Sequence, residues 1–170
     1  MSKKVVTLGE IMLRLSTPDF KRFVQADTLD VTYGGGEANV AAALCNYGLQ
    51  GTFVSKVPDN PIGQSAINHL RRFGVDTQYI VKGGDRLGIY FLETGASMRA
   101  SQVIYDRSGA SIADAGPDEF DFDAILKEAV WFHTTGITPA LSDKGAALTE
   151  AALKAAKAKG ITTSIDLNYR

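Results

Sequence analysis

One cysteine, Cys45, and two histidines, His69 and His133, are all that 170 residues offer to thiol or imidazole chemistry. A single thiol forms no intramolecular disulfide, and two distant histidines make no zinc motif, so no dedicated metal cage is expected. Charge of one sign is missing as well. Lysine plus arginine number 18 against 19 aspartate plus glutamate, a formal net charge of -1, which removes the broad cationic field that non-specific nucleic-acid binding needs. Nucleic acid is not an expected partner. No apolar run is long enough to span a membrane, and Met1-Ser2-Lys3-Lys4 leads straight into Val5-Val6-Thr7-Leu8 with no small-residue cleavage site. A cytoplasmic protein without a membrane partner is expected. Two nucleotide patterns are also absent, since neither G-x-G-x-x-G nor G-x-x-x-x-G-K-[ST] occurs.

The composition that remains, 45% apolar and 22% charged, can bury a core. Short β-branched runs alternate with helical patterns, the signature of an α/β fold with a largely parallel sheet. Strands are expected at 5–8, 52–57, 130–134 and 161–167, and helices at 38–47, 61–73, 124–129 and 142–159. Within the second helix Ile62, Ala66, Leu70 and Phe73 are spaced to share an inward face. Within the last, Leu148, Ala151, Ala152 and Ala155 form an apolar stripe, while Glu150 and Lys154 stand in the favourable i,i+4 order. Two segments break the alternation. Residues 87–94 and 102–106 follow each other with no helix between, joined by Gly95-Ala96-Ser97, and read as an antiparallel hairpin. Residues 13–16 and 29–33 read as two more strands leaving the core, so a small β-layer beside the main sheet is expected.

The densest chemical signal is Tyr33-Gly34-Gly35-Gly36-Glu37-Ala38-Asn39-Val40-Ala41, glycines running directly into a helix. Glycine lets backbone approach a ligand closely, and the free N–H groups of a helix start attract oxygens; a tight connection without a ligand uses the same residues. Elsewhere the bland readings lead. His133 fits a strand-end core position and His69 a helix surface. Cys45 fits a buried, inert thiol, and Trp131 fits strand packing.

The glycine stretch resembles the first signature of the ribokinase-like (PfkB) carbohydrate kinases. Gly35, Gly36, Ala38, Asn39, Ala41 and Gly48 match it in order, and Pro58 stands where it has a closing glycine. Within that family the resemblance is strongest to the 2-keto-3-deoxygluconate kinases and covers essentially all 170 residues. It rests on Gly9-Glu10-Ile11-Met12-Leu13-Arg14, Gly34-Gly35-Gly36-Glu37-Ala38-Asn39, Tyr105-Asp106-Arg107 and Asp166-Leu167-Asn168-Tyr169-Arg170.

The resemblance implies a ribokinase-like, Rossmann-type sheet with flanking helices and a small β-lid from segments about 13–33 and 87–107. It also implies that residues 1–170 are the N-terminal part of a sugar-kinase domain. Substrate-binding positions carried over are Gly34, Gly35, Asn39, Tyr90, Tyr105, Arg107, Ile137 and Arg170. A sugar acid presents a planar carboxylate that guanidinium groups bind in fork geometry, which suits Arg107 and Arg170. Arg14 stands where ribose kinases carry an aspartate, which disfavours ribose. ATP and magnesium are implied cofactors, with the catalytic base, anion hole and nucleotide site expected beyond Arg170. Asp106 and Asp166 lie near the implied site without a pattern that makes either the base, and Asp166 also fits a residue that orients the strand-end backbone. The resemblance further implies pairing of two subunits through the lid. A kinase for another sugar or sugar acid of the same family, such as fructose (fructokinase-like) or a dehydro-deoxygluconate isomer, a non-catalytic sugar-acid binding module and, less well supported, a dehydrogenase are the alternatives.

Overall fold

The structure, a computed structural model, describes residues 2–168. Five strands form one sheet: β1 (Lys4–Leu8), β4 (Gln50–Val57), β5 (Ile80–Lys82), β8 (Ala129–Thr135) and β9 (Thr162–Asp166), in the order β5-β4-β1-β8-β9 and all parallel. Strand β1 is buried along its whole length and β4 beyond Gln50, as expected where helices cover both faces of a parallel sheet. Lys4, the one cation in β1, is accommodated because its ammonium donates to the carbonyls of Ile125 and Lys127 at 2.8 and 3.1 Å.

Successive residues of a strand point to opposite faces, so this sheet serves two cores. Val6, Leu8, Val54 and Phe132 face α5 (Asp143–Ala158), which contributes Leu148, Ala152 and Ala156. Phe53 and Val57 face α1 (Gly36–Asn46) and α2 (Pro61–Arg71), which contribute Ala38, Ala41, Ala66, Ile67 and Leu70. Each long helix has its stop and start signals. Gly48 adopts φ +80° just past α1. Asn60 caps α2 by accepting from the Gly63 amide at 3.0 Å, and Ser142 caps α5 by accepting from the Gly145 amide at 2.9 Å. On the outer side of α5, Lys154 and Glu150 pair at 2.7 Å.

The inward face of α2 differs from the expected one. Gly63, Ala66, Ile67 and Leu70 are buried, while Ile62 and Phe73 are 46% and 43% exposed. The helix is turned by a close approach, since a Cβ at Gly63 would lie 2.0 Å from the Pro58 carbonyl oxygen. Three other expectations shift. The helix expected at 124–129 is the short α3 (Phe122–Ile125), and Ala129 already belongs to β8. The turn after β8 is a short helix, α4 (Ile137–Leu141). Trp131 is 42% exposed, because α1 covers β1 and β4 and reaches only the near side of β8; its indole N–H donates to Ser164 Oγ at 2.8 Å.

Four strands form a second sheet: β2 (Met12–Ser16), β3 (Asp30–Gly34), β6 (Ile89–Glu93) and β7 (Gln102–Asp106), in the order β3-β2-β6-β7. The β6–β7 pair is an antiparallel hairpin, and β6 runs parallel to β2. Buried Glu93 ties this sheet to the 17–25 loop, pairing with Arg99 and accepting from the Phe23 amide at 2.9 Å.

Candidate functional site

The register of the second sheet decides which side chains meet. Arg14 stands opposite Thr32 on one side and Tyr90 on the other, and Tyr90 stands opposite Tyr105. Directly paired residues share a face, so Thr32, Arg14, Tyr90 and Tyr105 form one rung across all four strands. Two residues along each chain lies a second rung on that face, Gly34, Met12, Gly88 and Arg107. Contacts agree with the register. A Cβ at Gly34 would sit 3.0 Å from the Tyr90 hydroxyl, and one at Gly88 would sit 3.2 Å from Met12 Cγ and 3.3 Å from Arg107 Cβ. The Tyr90 and Tyr105 rings are 6.0 Å apart, and the Arg107 guanidinium lies 5.7 Å from the Tyr105 ring centre. Gly34, Tyr90, Tyr105 and Arg107 are thus brought together, with Arg14 beside them.

The remaining positions divide. Gly35 adjoins this group, but its missing side chain faces inward: a Cβ there would lie 1.9 Å from the Glu10 carbonyl oxygen. Its lack of a side chain is therefore a packing requirement between the glycine loop and the segment after β1, rather than room for a ligand. Asn39, exposed on the first turn of α1, lines with Gly34, Tyr33 and His69 a cleft between α1, α2 and β3. Half-buried His69 packs between the Tyr33 and Phe73 rings at 5.3 Å each, and burial holds its pKa below the usual value. Ile137 begins α4 beyond the carboxyl end of β8, its amide donating to Thr135 Oγ1 at 3.1 Å. Arg170 lies outside the described residues.

Beneath the face lie two acids that the sequence pattern does not single out. Glu10, 3% exposed, forms an ion pair with Arg107. Its other oxygen, Oε1, is buried against Gly88, where a Cβ would come within 2.4 Å, and has no hydrogen-bond partner among the described residues. The Nε atoms of Arg14 and Arg107 are likewise buried without a partner among the described residues. Desolvation pushes the Glu10 carboxyl up to about 7 despite the pull of Arg107, and the nearby Glu37 carboxylate adds to the rise. Glu37, 1% exposed, accepts from the Thr135 hydroxyl at 2.7 Å and the Thr135 amide at 3.2 Å, while its own carbonyl accepts from Thr7 Oγ1 at 3.0 Å. It pins the glycine loop to the carboxyl ends of β1 and β8, where parallel α/β sheets gather their ligand groups. The available signal was glycine beside acid: Gly9 and Gly88 are the surfaces these carboxylates lie on, and a Cβ at Gly9 would meet Glu37 at 2.1 Å.

Other candidate groups are otherwise engaged. Asp106 forms a two-pronged pair with Arg86 at 2.8 Å for each oxygen, and Asp166 accepts from the Asn168 amide at 2.8 Å, orienting the strand end. His133 Nδ1 lies 2.8 Å from Ser164 Oγ within the sheet, and half-buried Cys45 approaches the Gly74 carbonyl at 3.4 Å. No group of three or more His, Cys, Asp or Glu among the described residues could hold a metal ion, and no described helix is long and apolar enough to cross a membrane. The described residues thus offer no all-protein cage for a metal ion.

Known proteins resemble this chain over essentially its whole length. A 2-dehydro-3-deoxygalactonokinase of Haloferax volcanii is 41% identical over 170 residues, all of this chain and 53% of that protein. A 2-dehydro-3-deoxygluconokinase of Thermoproteus tenax is 33% identical across 95% of this chain and 50% of its own length. The crystal structure of a 2-dehydro-3-deoxygluconokinase from Thermotoga maritima superposes with a TM-score of 0.97 at 58% identity, covering 99% of this chain and 52% of that one. The chain thus spans about half the length of the relatives it matches. The family model for pfkB family carbohydrate kinases matches residues 2–170, and with the fold and the glycine loop in agreement, the chain belongs to that family.

Proposed function

We propose that this chain is the sugar-acid-binding part of an ATP-dependent kinase that phosphorylates the primary hydroxyl of 2-keto-3-deoxygluconate, another name for 2-dehydro-3-deoxygluconate. The observation that carries the reading is the shared face of Gly34, Tyr90, Tyr105 and Arg107, which sets a guanidinium among phenol groups and bare backbone. Charge-assisted fork bonds suit a carboxylate. In this reading Arg107 and Arg170 hold the sugar acid by its carboxylate. The Tyr90 and Tyr105 hydroxyls meet its oxygens, and Gly34 lets backbone come close, with Gly35 packed behind it against the segment after β1. Asn39 and Ile137 complete the surround, and the second sheet acts as a lid that keeps water from the bound sugar. The names of the relatives support a keto-deoxy sugar acid, and they differ between the gluconate and galactonate forms.

ATP and magnesium belong in this proposal to the part of the protein beyond position 170, as do the catalytic base and anion hole. Phosphoryl transfer needs all of these. ATP supplies the γ-phosphoryl group, and the residues described here bind and orient its acceptor. The lid also pairs with that of a second subunit in a cytoplasmic enzyme. Its face away from Tyr90 supports this, presenting the row Val31, Leu15, Phe91 and Ile104, with Val31 and Ile104 65% and 55% exposed. The test is ATP-dependent phosphorylation by the full-length protein of 2-keto-3-deoxygluconate, its galactonate counterpart, fructose and ribose. The reading expects either sugar acid to exceed both neutral sugars in kcat/KM by at least about a hundredfold, equivalent to ~2.7 kcal/mol. Preference for a neutral sugar would overturn it.

A further inference from the structure

The Arg107 guanidinium that the proposed function assigns to the substrate carboxylate already has a carboxylate partner in Glu10. We infer that Glu10 is a positioning residue that holds Arg107 in place while the site is empty and takes up one proton when the sugar acid binds, leaving the guanidinium to the substrate. The inference rests on the reading of Arg107 as the carboxylate-binding residue.

The geometry carries the argument. Glu10 is 3% exposed, so water cannot screen a second anion brought to the same guanidinium. The charged groups facing Glu10 are Arg107, following β7, and Glu37, on α1. Gly88, just before β6, lies against Glu10 Oε1 with Met12 of β2 beside it, and neither titrates. A bound substrate carboxylate, which Arg170 also meets in that reading, would therefore be the third anion about the Arg107 guanidinium, after Glu10 and Glu37. Neutralising one of them is the least costly response, because like charges at close range in a buried site shift a carboxyl upward. Glu10 suits the role better than Glu37. Burial raises the Glu37 carboxyl too, but both its contacts with Thr135 are donated to a carboxylate oxygen and oppose that rise, whereas Glu10 Oε1 has no donor among the described residues. The poise of Glu10 near neutrality agrees with this assignment. The balance is simple: one proton passes from buffer to the Glu10 carboxylate, and no covalent bond of the sugar changes.

The test is calorimetric titration of the full-length protein with 2-keto-3-deoxygluconate and with its carboxamide, in buffers of different ionisation enthalpy. At pH 7.5 the acid should bind with uptake of about three quarters of a proton, the fraction of Glu10 still ionised there, and the carboxamide with none. For a group titrating about neutrality, the dissociation constant for the acid should rise about fivefold between pH 7 and pH 8, while that for the carboxamide stays level. Glu10→Gln should abolish the uptake and flatten the profile. Acid binding without proton uptake, equal uptake with the carboxamide, or uptake that persists in Glu10→Gln would each overturn the inference. Should that variant fail to fold, the comparison of acid with carboxamide in the unmodified protein decides. Equal affinity for acid and carboxamide at pH 6 is a separate failure, that of the carboxylate reading of Arg107 itself.

Discussion

Gly34 and Tyr90 stand against each other across the second sheet, with a Cβ at Gly34 reaching within 3.0 Å of the tyrosine hydroxyl. Gly34→Ala should displace that hydroxyl rather than unfold the chain, because the neighbour is the tip of a side chain. We expect KM for the sugar acid to rise roughly tenfold, ~1.4 kcal/mol, with the melting temperature nearly unchanged. A large fall in melting temperature with unaltered KM would make Gly34 a packing residue.

Gly35→Val should behave in the opposite way. Its side chain would collide with the Glu10 backbone carbonyl, 1.9 Å from the first added carbon, so backbone must move where the glycine loop joins the segment after β1. Overpacking of this kind costs roughly 1–3 kcal/mol. Denaturant unfolding should show that loss, and a variant as stable as its parent would return Gly35 to a purely ligand-facing role.

The long elements were legible because their patterns are unambiguous. Val5-Val6-Thr7-Leu8 and the stripe through Leu148 and Ala152 have no competing assignment. Ile80–Lys82 is three residues long, and Ile137–Leu141 carries Pro139 within five residues, so neither repeats long enough to show a period. In α2 two overlapping stripes were available. The true one includes Gly63, which contributes no hydrophobic signal, while Ile62 and Phe73 made the other look stronger. The grouping of Tyr90 with Arg107 followed from motif resemblance. Glu10 and Glu37 stayed hidden because hydropathy places acids outside, and only close-packed glycines make room for them within.

Acid stability should reveal Glu10. Its carboxyl is raised by burial from 4.5 to about 7, so between those values the folded state binds the proton that the unfolded state releases. Its contribution to stability is therefore full below about pH 4.5 and is lost as pH rises toward 7. Relative to Glu10→Gln, the unmodified protein should lose stability across that window and level off above it. The histidines are common to both proteins and cancel, whereas the Glu37 charge acts on Glu10, so these two acids titrate together. A difference independent of pH would place the Glu10 carboxyl at an ordinary value.

Subunit pairing through the lid predicts that Ile104→Asp, on the exposed apolar row, converts the full-length protein from dimer to monomer in sedimentation experiments without altering its circular dichroism. A native protein that sediments as a monomer at all concentrations would contradict the pairing.

The most direct test of the central claim is the ratio of kcat/KM for 2-keto-3-deoxygluconate to that for its carboxamide, measured before and after Arg107→Ala in the full-length protein. Removing the guanidinium leaves Glu10 without its partner, so some stability will be lost, but that loss weighs on both substrates alike and cancels in the ratio. The account predicts that the variant loses ~2–5 kcal/mol of transition-state stabilisation with the acid and less than about tenfold in rate with the carboxamide. Equal losses with the two substrates would contradict the claim that this face of the lid binds a carboxylate through Arg107.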